Sequence, residues 1–187
     1  MSDMDTLKQQ CMQCQNCGLA ATRTNLVFGV GNPESPLVFV GEGPGEQEDL
    51  QGEPFVGRAG KLLDIMLEIM ELDRSSVYIC NIVKCRPPKN RDPYPEEREA
   101  CSQWLTRQLE IISPKIIVCL GRIAATSLID PDFRITRQHG QWFSRDGISY
   151  TAIYHPAALL RDVGKRPETF MDLKEIRRKL DAVASVD

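Results

Sequence analysis

Four short apolar runs alternate along the chain with segments of helical character. The runs occupy residues 37–40, 77–82, 115–120 and 149–154. Turn residues bound them, which is typical of strands covered on both faces. Alternation of strands with helices predicts a mostly parallel sheet between two layers of helices. We therefore predict one α/β domain over residues 1–187, a three-layer α/β/α sandwich around a four-stranded, mostly parallel sheet, with an N-terminal arm that carries cysteines.

The remaining elements are predicted from helix periodicity, helix-start residues and turn signals. They comprise helices at about 5–13, 59–72, 95–112, from 121 onward and at 169–183, an edge strand or hairpin arm at 25–30, and turns with a hairpin between 130 and 147.

The composition is that of an ordinary soluble protein, with 42% hydrophobic and 26% charged residues. No apolar run approaches the roughly 20 residues that a membrane span needs. The polar start, MSDMDTLKQQ, does not resemble a signal peptide. We therefore expect a cytoplasmic protein without a membrane partner. We also expect it to be monomeric.

A glycine-rich stretch, GEGPGEQEDLQGEPFVGRAGKLL at residues 41–63, follows the first predicted strand. Glycines let a ligand approach the backbone closely. The stretch also carries several carboxylates and one aromatic residue, Phe55, and a hydrophobic core does not explain this composition. We interpret it as a loop that forms half of a pocket for a small polar ring such as a nucleic-acid base.

Polar residues stand at the ends of all four predicted strands, namely Glu42, Asn81, Arg122 and His155. In parallel sheets, ligands bind beyond the carboxyl ends of the strands, so these side chains should converge. The amide of Asn81 offers a donor and an acceptor, which match the O4 and N3–H edge of uracil and mismatch cytosine. Phe55 is a candidate for stacking on a base. The structural alternatives are a strand-end cap for Asn81, a core anchor for Phe55 and a structural hydrogen bond for His155.

Two segments are locally basic although the net charge is −3. Residues 84–91 include Arg86, Lys89 and Arg91 without an acid, and residues 161–166 begin with Arg161. Such clusters fit an edge that contacts phosphates, although solvated loops have the same composition.

Seven cysteines in a reducing compartment favour a metal site over disulfides. The spacing Cys14-x-x-Cys17 suits two thiolates on one ion or cluster, and Cys11 offers a second C-x-x-C with Cys14. Cys101 shares a helix face with apolar residues and should point inward. Cys80 and Cys119 lie inside strands and are expected in the core. The pattern alone allows zinc or an iron–sulfur cluster.

Three blocks, GEGPGEQED…GEPFVGRAGKLLD, NIVKCRPPKNRDPYPEE and YHPAALLR, resemble the signatures of the family 4 uracil-DNA glycosylases. The resemblance runs from Cys14 to the last helix. It implies removal of uracil from single- or double-stranded DNA without backbone cleavage, and a [4Fe–4S] cluster. The implied cluster ligands are Cys14, Cys17, Cys85 and Cys101, and the following run CGLAATRTNLVFG favours this register, with Cys11 as an extra thiol.

The resemblance also implies a role for each residue of the pocket. Phe55 would stack on uracil, Asn81 would read its edge, and His155 would donate to O2. Glu48 would crowd C5 against the methyl group of thymine. The motif beneath the base would consist of Gly41, Glu42 and Gly43. Related families often carry an aspartate where this chain has Gly43, so Glu42 is the remaining candidate carboxylate for chemistry, and the water-activating group stays open.

The target base must be flipped out of the helix to reach such a pocket. Leu159 or Leu160 would wedge into the vacated stack. Phosphates would be held by Arg86, Lys89, Arg91 and Arg161.

Two alternative functions compete with a turnover enzyme. A sister class that resembles this family traps uracil covalently through a histidine in an inserted basic loop, but the loop RPPKNRDPYPEE after Cys85 has no histidine. The other alternative is a metal-stabilised module that binds nucleic acid without catalysis.

Overall fold

The computed structural model describes residues 1–186 and shows a six-stranded mixed sheet covered by helices. The strands are β1 (Val30–Gly31), β2 (Leu37–Gly41), β3 (Tyr78–Asn81), β4 (Ile116–Leu120), β5 (Phe143–Arg145) and β6 (Ile148–Ile153). The α-helices are α1 (Asp3–Cys11), α2 (Leu19–Thr22), α3 (Glu46–Gln51), α4 (Arg58–Ile69), α5 (Pro95–Ile112), α6 (Arg122–Leu128), α7 (Ile135–Gln138), α8 (Pro156–Arg161) and α9 (Arg166–Ala184). Two single-turn 3-10 helices lie at Pro88–Asn90 and Val163–Lys165.

The strand order is β1-β3-β2-β4-β6-β5, and the four central strands are parallel. These four are the predicted ones. The predicted four-stranded sheet is nevertheless too small, because β1 and β5 pair antiparallel at its two edges. Both edge strands are too short to show a clear alternation of apolar and polar residues in the sequence. The hairpin of β5 and β6 turns at Asp146 and Gly147, which both have positive φ, as a tight primed turn requires.

The core lies on both faces of the sheet. Alternate residues of β2 point to opposite sides. Val38 and Val40 pack in a cluster that includes residues of α1, α5 and α6, whereas Leu37 and Phe39 pack in a cluster with residues of α4, α8 and α9. This arrangement explains why β2, β3 and β4 are buried along their whole length. Among the residues that the structure describes, no helix is long and apolar enough to cross a membrane.

Two segments differ from the sequence-based expectations. The predicted loop over residues 41–63 contains α3, which ends at Gly52 in the left-handed conformation. The predicted edge strand at 25–30 is reduced to β1; the backbone N–H of Val27 donates to the Lys84 carbonyl at 2.7 Å. Its neighbours Leu26 and Phe28 are apolar because they are buried in the core, not because they form a ladder.

Candidate active site

A cleft of ≈ 620 Å³ opens beyond the carboxyl ends of the parallel strands. Its lining includes Glu42, Asn81, Arg122 and His155, which follow or end β2, β3, β4 and β6. The structure therefore brings together the four strand-end side chains that the topology predicts. Phe55 and Glu48 reach the same cleft from the glycine-rich stretch.

Asn81 is the last residue of β3 and is 2% exposed. Its side-chain Oδ1 is buried and has no hydrogen-bond partner among the described residues. A buried acceptor without a partner is costly, and because Asn81 lines the cleft, a donor on a bound ligand could satisfy it. Gly41 lies beside Asn81 in the parallel register. A Cβ at Gly41 would lie 2.5 Å from Asn81 Oδ1 and 2.6 Å from Phe55 Cζ, so only glycine leaves room for both side chains.

Phe55 places an aromatic ring in the cleft at a cost in backbone conformation. The residue has φ 54°, in the left-handed region that non-glycine residues seldom occupy. Its ring centroid lies 5.6 Å from that of His155, with a tilt of 31° between the planes. Strained backbone of this kind is concentrated at functional sites.

His155 is held in one protonation and one tautomeric state. Its Nδ1 accepts the backbone N–H of Ala157 at 3.0 Å, so the proton of the neutral ring sits on Nε2. Burial lowers the pKa of His155 to about 4, and the positive charge of Arg161 acts in the same direction. The ring is therefore neutral at pH 7 and presents one N–H donor. Gly121, with φ 90°, admits this side chain, because a Cβ there would lie 2.9 Å from His155 Cβ.

Glu42 is the carboxylate of the cleft whose pKa is shifted most. Burial and, to a smaller extent, the neighbouring Asp92 raise the pKa of Glu42 to about 7, against the opposing effect of Arg122. Arg122 Nη2 also lies 2.6 Å from Asp92 Oδ2 at the rim of the cleft. Asp92 was not predicted as a site residue, because it stands between Arg91 and Pro93 in a stretch that reads as a solvated basic loop.

Gly43 follows Glu42 in the cleft and is tightly enclosed. A Cβ at this position would lie 2.7 Å from Val83 Cγ2. A carboxylate could therefore not be introduced there without displacement of Val83.

Glu48 supports the segment that carries Phe55. Its Oε1 accepts the backbone N–H groups of Val56 at 3.2 Å and Gly57 at 3.3 Å. The carboxylate thus fixes the start of α4 while it lines the cleft.

The predicted phosphate-contacting residues differ in their exposure and in their intramolecular partners. Lys89 and Arg161 are exposed. Arg86 Nε donates to Asn90 Oδ1 at 2.8 Å. Arg91 forms a bidentate ion pair with Glu97, in which Nη1 lies 2.7 Å from Oε1 and Nη2 lies 3.1 Å from Oε2. Arg91 would have to exchange this partner in order to contact DNA.

The position of Leu159 differs from the sequence-based expectation that it contacts DNA. Its side chain is 2% exposed and packs in the core cluster that includes residues of α4 and α9, so it is not available as a wedge or a DNA contact. Its neighbour Leu160 is partly exposed. The two residues were indistinguishable by sequence, because the packing of the short helix α8 decides which one faces inward.

A second, smaller cavity is lined by Cys14, Cys17, Cys85 and Cys101. The backbone N–H of Lys84 donates to Cys101 Sγ at 3.3 Å. Trp104 Nε1 donates to Cys14 Sγ, and Arg23 Nη1 to Cys85 Sγ, each at 3.3 Å. Donors aimed at sulfur suit thiolates that bind a metal or a cluster. The four-thiol donor set and its apolar surroundings therefore fit the implied group.

The other three cysteines, Cys11, Cys80 and Cys119, are buried. Cys80 and Cys119 lie within β3 and β4, as predicted. Burial raises the pKa of the Cys101 thiol to about 11, so a thiolate there needs a compensating cation. Within residues 1–186, no three His, Cys, Asp or Glu side chains are grouped as ligands of a single metal ion.

Comparison with known proteins places the chain in a family. The family model described as "Uracil DNA glycosylase superfamily" matches residues 28–180. A protein of Archaeoglobus fulgidus named type-4 uracil-DNA glycosylase is 50% identical over 184 residues, which cover 94% of this chain and 92% of the relative. A protein of the same name in Sulfurisphaera tokodaii is 45% identical, over 95% of this chain and 84% of the relative. Another in Thermotoga maritima is 46% identical, over 85% of this chain and 84% of the relative. The chain therefore belongs to the uracil DNA glycosylase superfamily.

Proposed function

We propose that this chain is a DNA repair glycosylase that hydrolyses the N-glycosidic bond of uracil in DNA and leaves an abasic site. The observation that carries the proposal is the buried, unpartnered acceptor of Asn81, which lines a cleft together with Phe55 and His155. The names of the relatives, type-4 uracil-DNA glycosylase, support the same activity.

Uracil is recognised through its polar edge. Asn81 Oδ1 accepts the N3–H of uracil, and Nδ2 donates to O4. Cytosine has an acceptor at N3 and a donor at C4, so it would leave buried polar groups unpaired, which selects strongly against it. Phe55 stacks on the ring. Gly41 lets the base approach the backbone, and Glu48 lies where a 5-methyl group would have to fit.

The nucleotide reaches the cleft by base flipping, because the glycosidic bond of a stacked base is inaccessible. Leu160, which is partly exposed, fills the vacated stack in place of the buried Leu159. Arg161 and Lys89 hold phosphates. Arg86 and Arg91 join them after exchange of their intramolecular partners.

Bond cleavage separates charge between the sugar and the base. The electron pair of the C1′–N1 bond leaves with uracil, and the sugar becomes oxocarbenium-like. His155 Nε2–H donates to O2, where negative charge grows; a single positioned donor of this kind is worth roughly 2.7–4 kcal/mol. Water attacks C1′ and loses a proton. Glu42, with a pKa raised to about 7, orients this water and accepts the proton.

The four cysteines of the second cavity, Cys14, Cys17, Cys85 and Cys101, would hold a [4Fe–4S] cluster. When bound, the cluster supplies a cross-link between the N-terminal arm, which carries Cys14 and Cys17, the segment that starts at Cys85, and α5, which carries Cys101. Cys85 and Cys101 bracket the proline-rich basic loop. Absorbance near 400 nm, together with stoichiometric iron and sulfide in anaerobically purified protein, tests this assignment. Stoichiometric zinc without iron would overturn it.

The substrate is uracil-containing DNA, single- or double-stranded, and the protein acts as a monomer in the cytoplasm. One assay tests the function: incubation with an oligonucleotide that contains a single uracil, with a thymine oligonucleotide as the control. Abasic sites in the uracil strand alone are the expected result. A covalent adduct would indicate a uracil-trapping enzyme, and binding without regard to uracil and without cleavage would indicate a binding module.

A further inference from the structure

We propose that Arg74 is a positioning residue of the active site, whose guanidinium fixes the backbone of Phe55 and thereby sets the plane on which the base stacks. The inference rests on the proposed function, because it assumes that Phe55 is the stacking platform. Arg74 lies outside the cleft lining, in the turn between α4 and β3.

The guanidinium of Arg74 collects the carbonyl groups around Phe55. Its Nη1 donates to the Pro54 carbonyl at 3.0 Å, and its Nη2 donates to the carbonyls of Phe55 and, at 3.3 Å, of Gly60. Its Nε donates to Asp64 Oδ1 at 2.6 Å. A planar fork with several fixed donors suits this task, and a lysine ammonium cannot reproduce it.

The backbone of Phe55 needs such a partner because of its conformation. With φ 54° the residue is outside regular structure, and its carbonyl turns toward the first turn of α4. A Cβ at Gly60 would lie 1.8 Å from the Phe55 carbonyl oxygen. The carbonyl is thus enclosed against α4, where only a donor that enters from the side can satisfy it.

The segment of Phe55 is held from two directions. Arg74 binds the carbonyls of Pro54 and Phe55, and Glu48 binds the N–H groups of Val56 and Gly57. The ring between these two clamps lies 5.6 Å from the imidazole of His155. Loss of the Arg74 clamp would let the ring shift relative to the donor of His155, without removal of any group that touches the base.

A purely structural role for Arg74 is the alternative, and the chain offers a matched control. Arg177 of α9 donates from Nη1 to the carbonyl of Met70 at 3.0 Å, just beyond the other end of α4. It also pairs with Asp181 at 2.8 Å. The side chains of Arg74 and Arg177 are 27% and 34% exposed. Arg177 does not line the cleft.

The test compares Arg74→Lys and Arg74→Met with Arg177→Lys and Arg177→Met. Three quantities are measured: the single-turnover rate of uracil excision, the inhibition constant of free uracil, and Tm. We expect the Arg74 variants to lose between about 10- and 100-fold in rate and to bind uracil more weakly, since a misplacement of about 1 Å costs up to 10²-fold. The Arg177 variants should keep both values, even where Tm falls equally.

Asp64→Asn refines the assignment and serves if an Arg74 variant fails to fold. It removes the ion pair at Nε but leaves the donors to the carbonyls, so excision should stay within about twofold of wild type. Folded Arg74→Lys protein with wild-type rate and uracil inhibition would overturn the inference. An equal loss of rate in the Arg74 and Arg177 variants would overturn it as well.

Excision of uracil by the wild-type protein tests the proposed function itself, and Phe55→Leu separates failure of this inference from failure of the stacking assignment on which it rests. If Phe55→Leu excises uracil normally, the stacking assignment is wrong. If Phe55→Leu loses activity while Arg74→Lys does not, only the positioning role of Arg74 is wrong. If Arg74 acts through Phe55, the double variant loses little more than Phe55→Leu alone. Fully additive losses would mean that Arg74 acts elsewhere.

Discussion

The 3.0 Å hydrogen bond from the Ala157 N–H to His155 Nδ1 decides which nitrogen of His155 is available as a donor in the cleft. Because Ala157 N–H can only donate, Nδ1 must accept, and Nε2 carries the proton. Burial, which lowers the pKa to about 4, keeps the ring neutral. The chain thus presents a neutral donor whose orientation the start of α8 sets in advance.

Removal of this donor should slow excision while the fold survives. We expect His155→Ala to lose roughly 10²–10³-fold in single-turnover rate, the effect of one oxyanion donor. The measurement is excision from a uracil oligonucleotide, with circular dichroism to verify folding. Turnover like that of wild type would contradict the assigned role.

The pH dependence of the rate should report Glu42. Because its pKa is raised to about 7, the carboxylate is lost as pH falls through 7, and the single-turnover rate should fall with it. Glu42→Gln should be slow and should flatten this limb. Glu46→Gln is the matched control, since Glu46 is exposed and lines the same cleft. An unchanged rate for Glu42→Gln would remove Glu42 from the chemistry.

The stability of the protein should depend on pH through His155. The folded pKa is lowered from 6.5 to about 4, so the unfolded chain binds the proton more tightly. The free energy of unfolding should therefore fall as pH drops from 6.5 to 4, by about 3 kcal/mol from this group. Urea unfolding of wild type and His155→Gln across this window tests it. Parallel curves for the two proteins would show that His155 does not contribute.

Base selectivity should depend on the amide of Asn81. Asn81→Asp replaces a donor and an acceptor by two oxygens, so the mismatch with the exocyclic amine of cytosine is relieved. We expect measurable excision of cytosine together with slower excision of uracil. The comparison uses oligonucleotides that differ only in the target base. Rejection of cytosine that equals that of wild type would count against edge recognition by this residue.

The two adjacent leucines should behave differently when each is changed to alanine. Leu160→Ala should slow excision from U·A duplex more than from single-stranded DNA, where no stack must be filled. Leu159→Ala should instead lower the free energy of unfolding by about 2–5 kcal/mol, because it creates a core cavity. The reverse pattern would show that Leu159 leaves the core when DNA binds.

The convergence of Glu42, Asn81, Arg122 and His155 could be predicted from the sequence, because parallel strands end at one edge of their sheet. Asp92 and Arg74 could not. Their surroundings depend on contacts between segments distant in sequence, such as the 2.6 Å pair of Arg122 with Asp92 across 30 positions.

Local backbone strain and very short strands also could not be predicted from the sequence. The left-handed backbone of Phe55 leaves no signal in its residue type. The strand β1 has two residues and therefore no period. Burial of Leu159 rather than Leu160 follows from the packing of α8 against the core, which the spacing within six residues does not determine.

In the proposed function, the unpartnered Oδ1 of Asn81 would link the stability of the fold to substrate selection. A buried acceptor without a partner costs a folded protein roughly 1–3 kcal/mol. Binding of uracil would recover this cost, and binding of a base with a mismatched edge would not. Substitutions that remove the amide, and with it this cost, would therefore yield a more stable protein that no longer discriminates between bases. Selection for thermal stability and selection for base discrimination would then act in opposite directions on this single side chain.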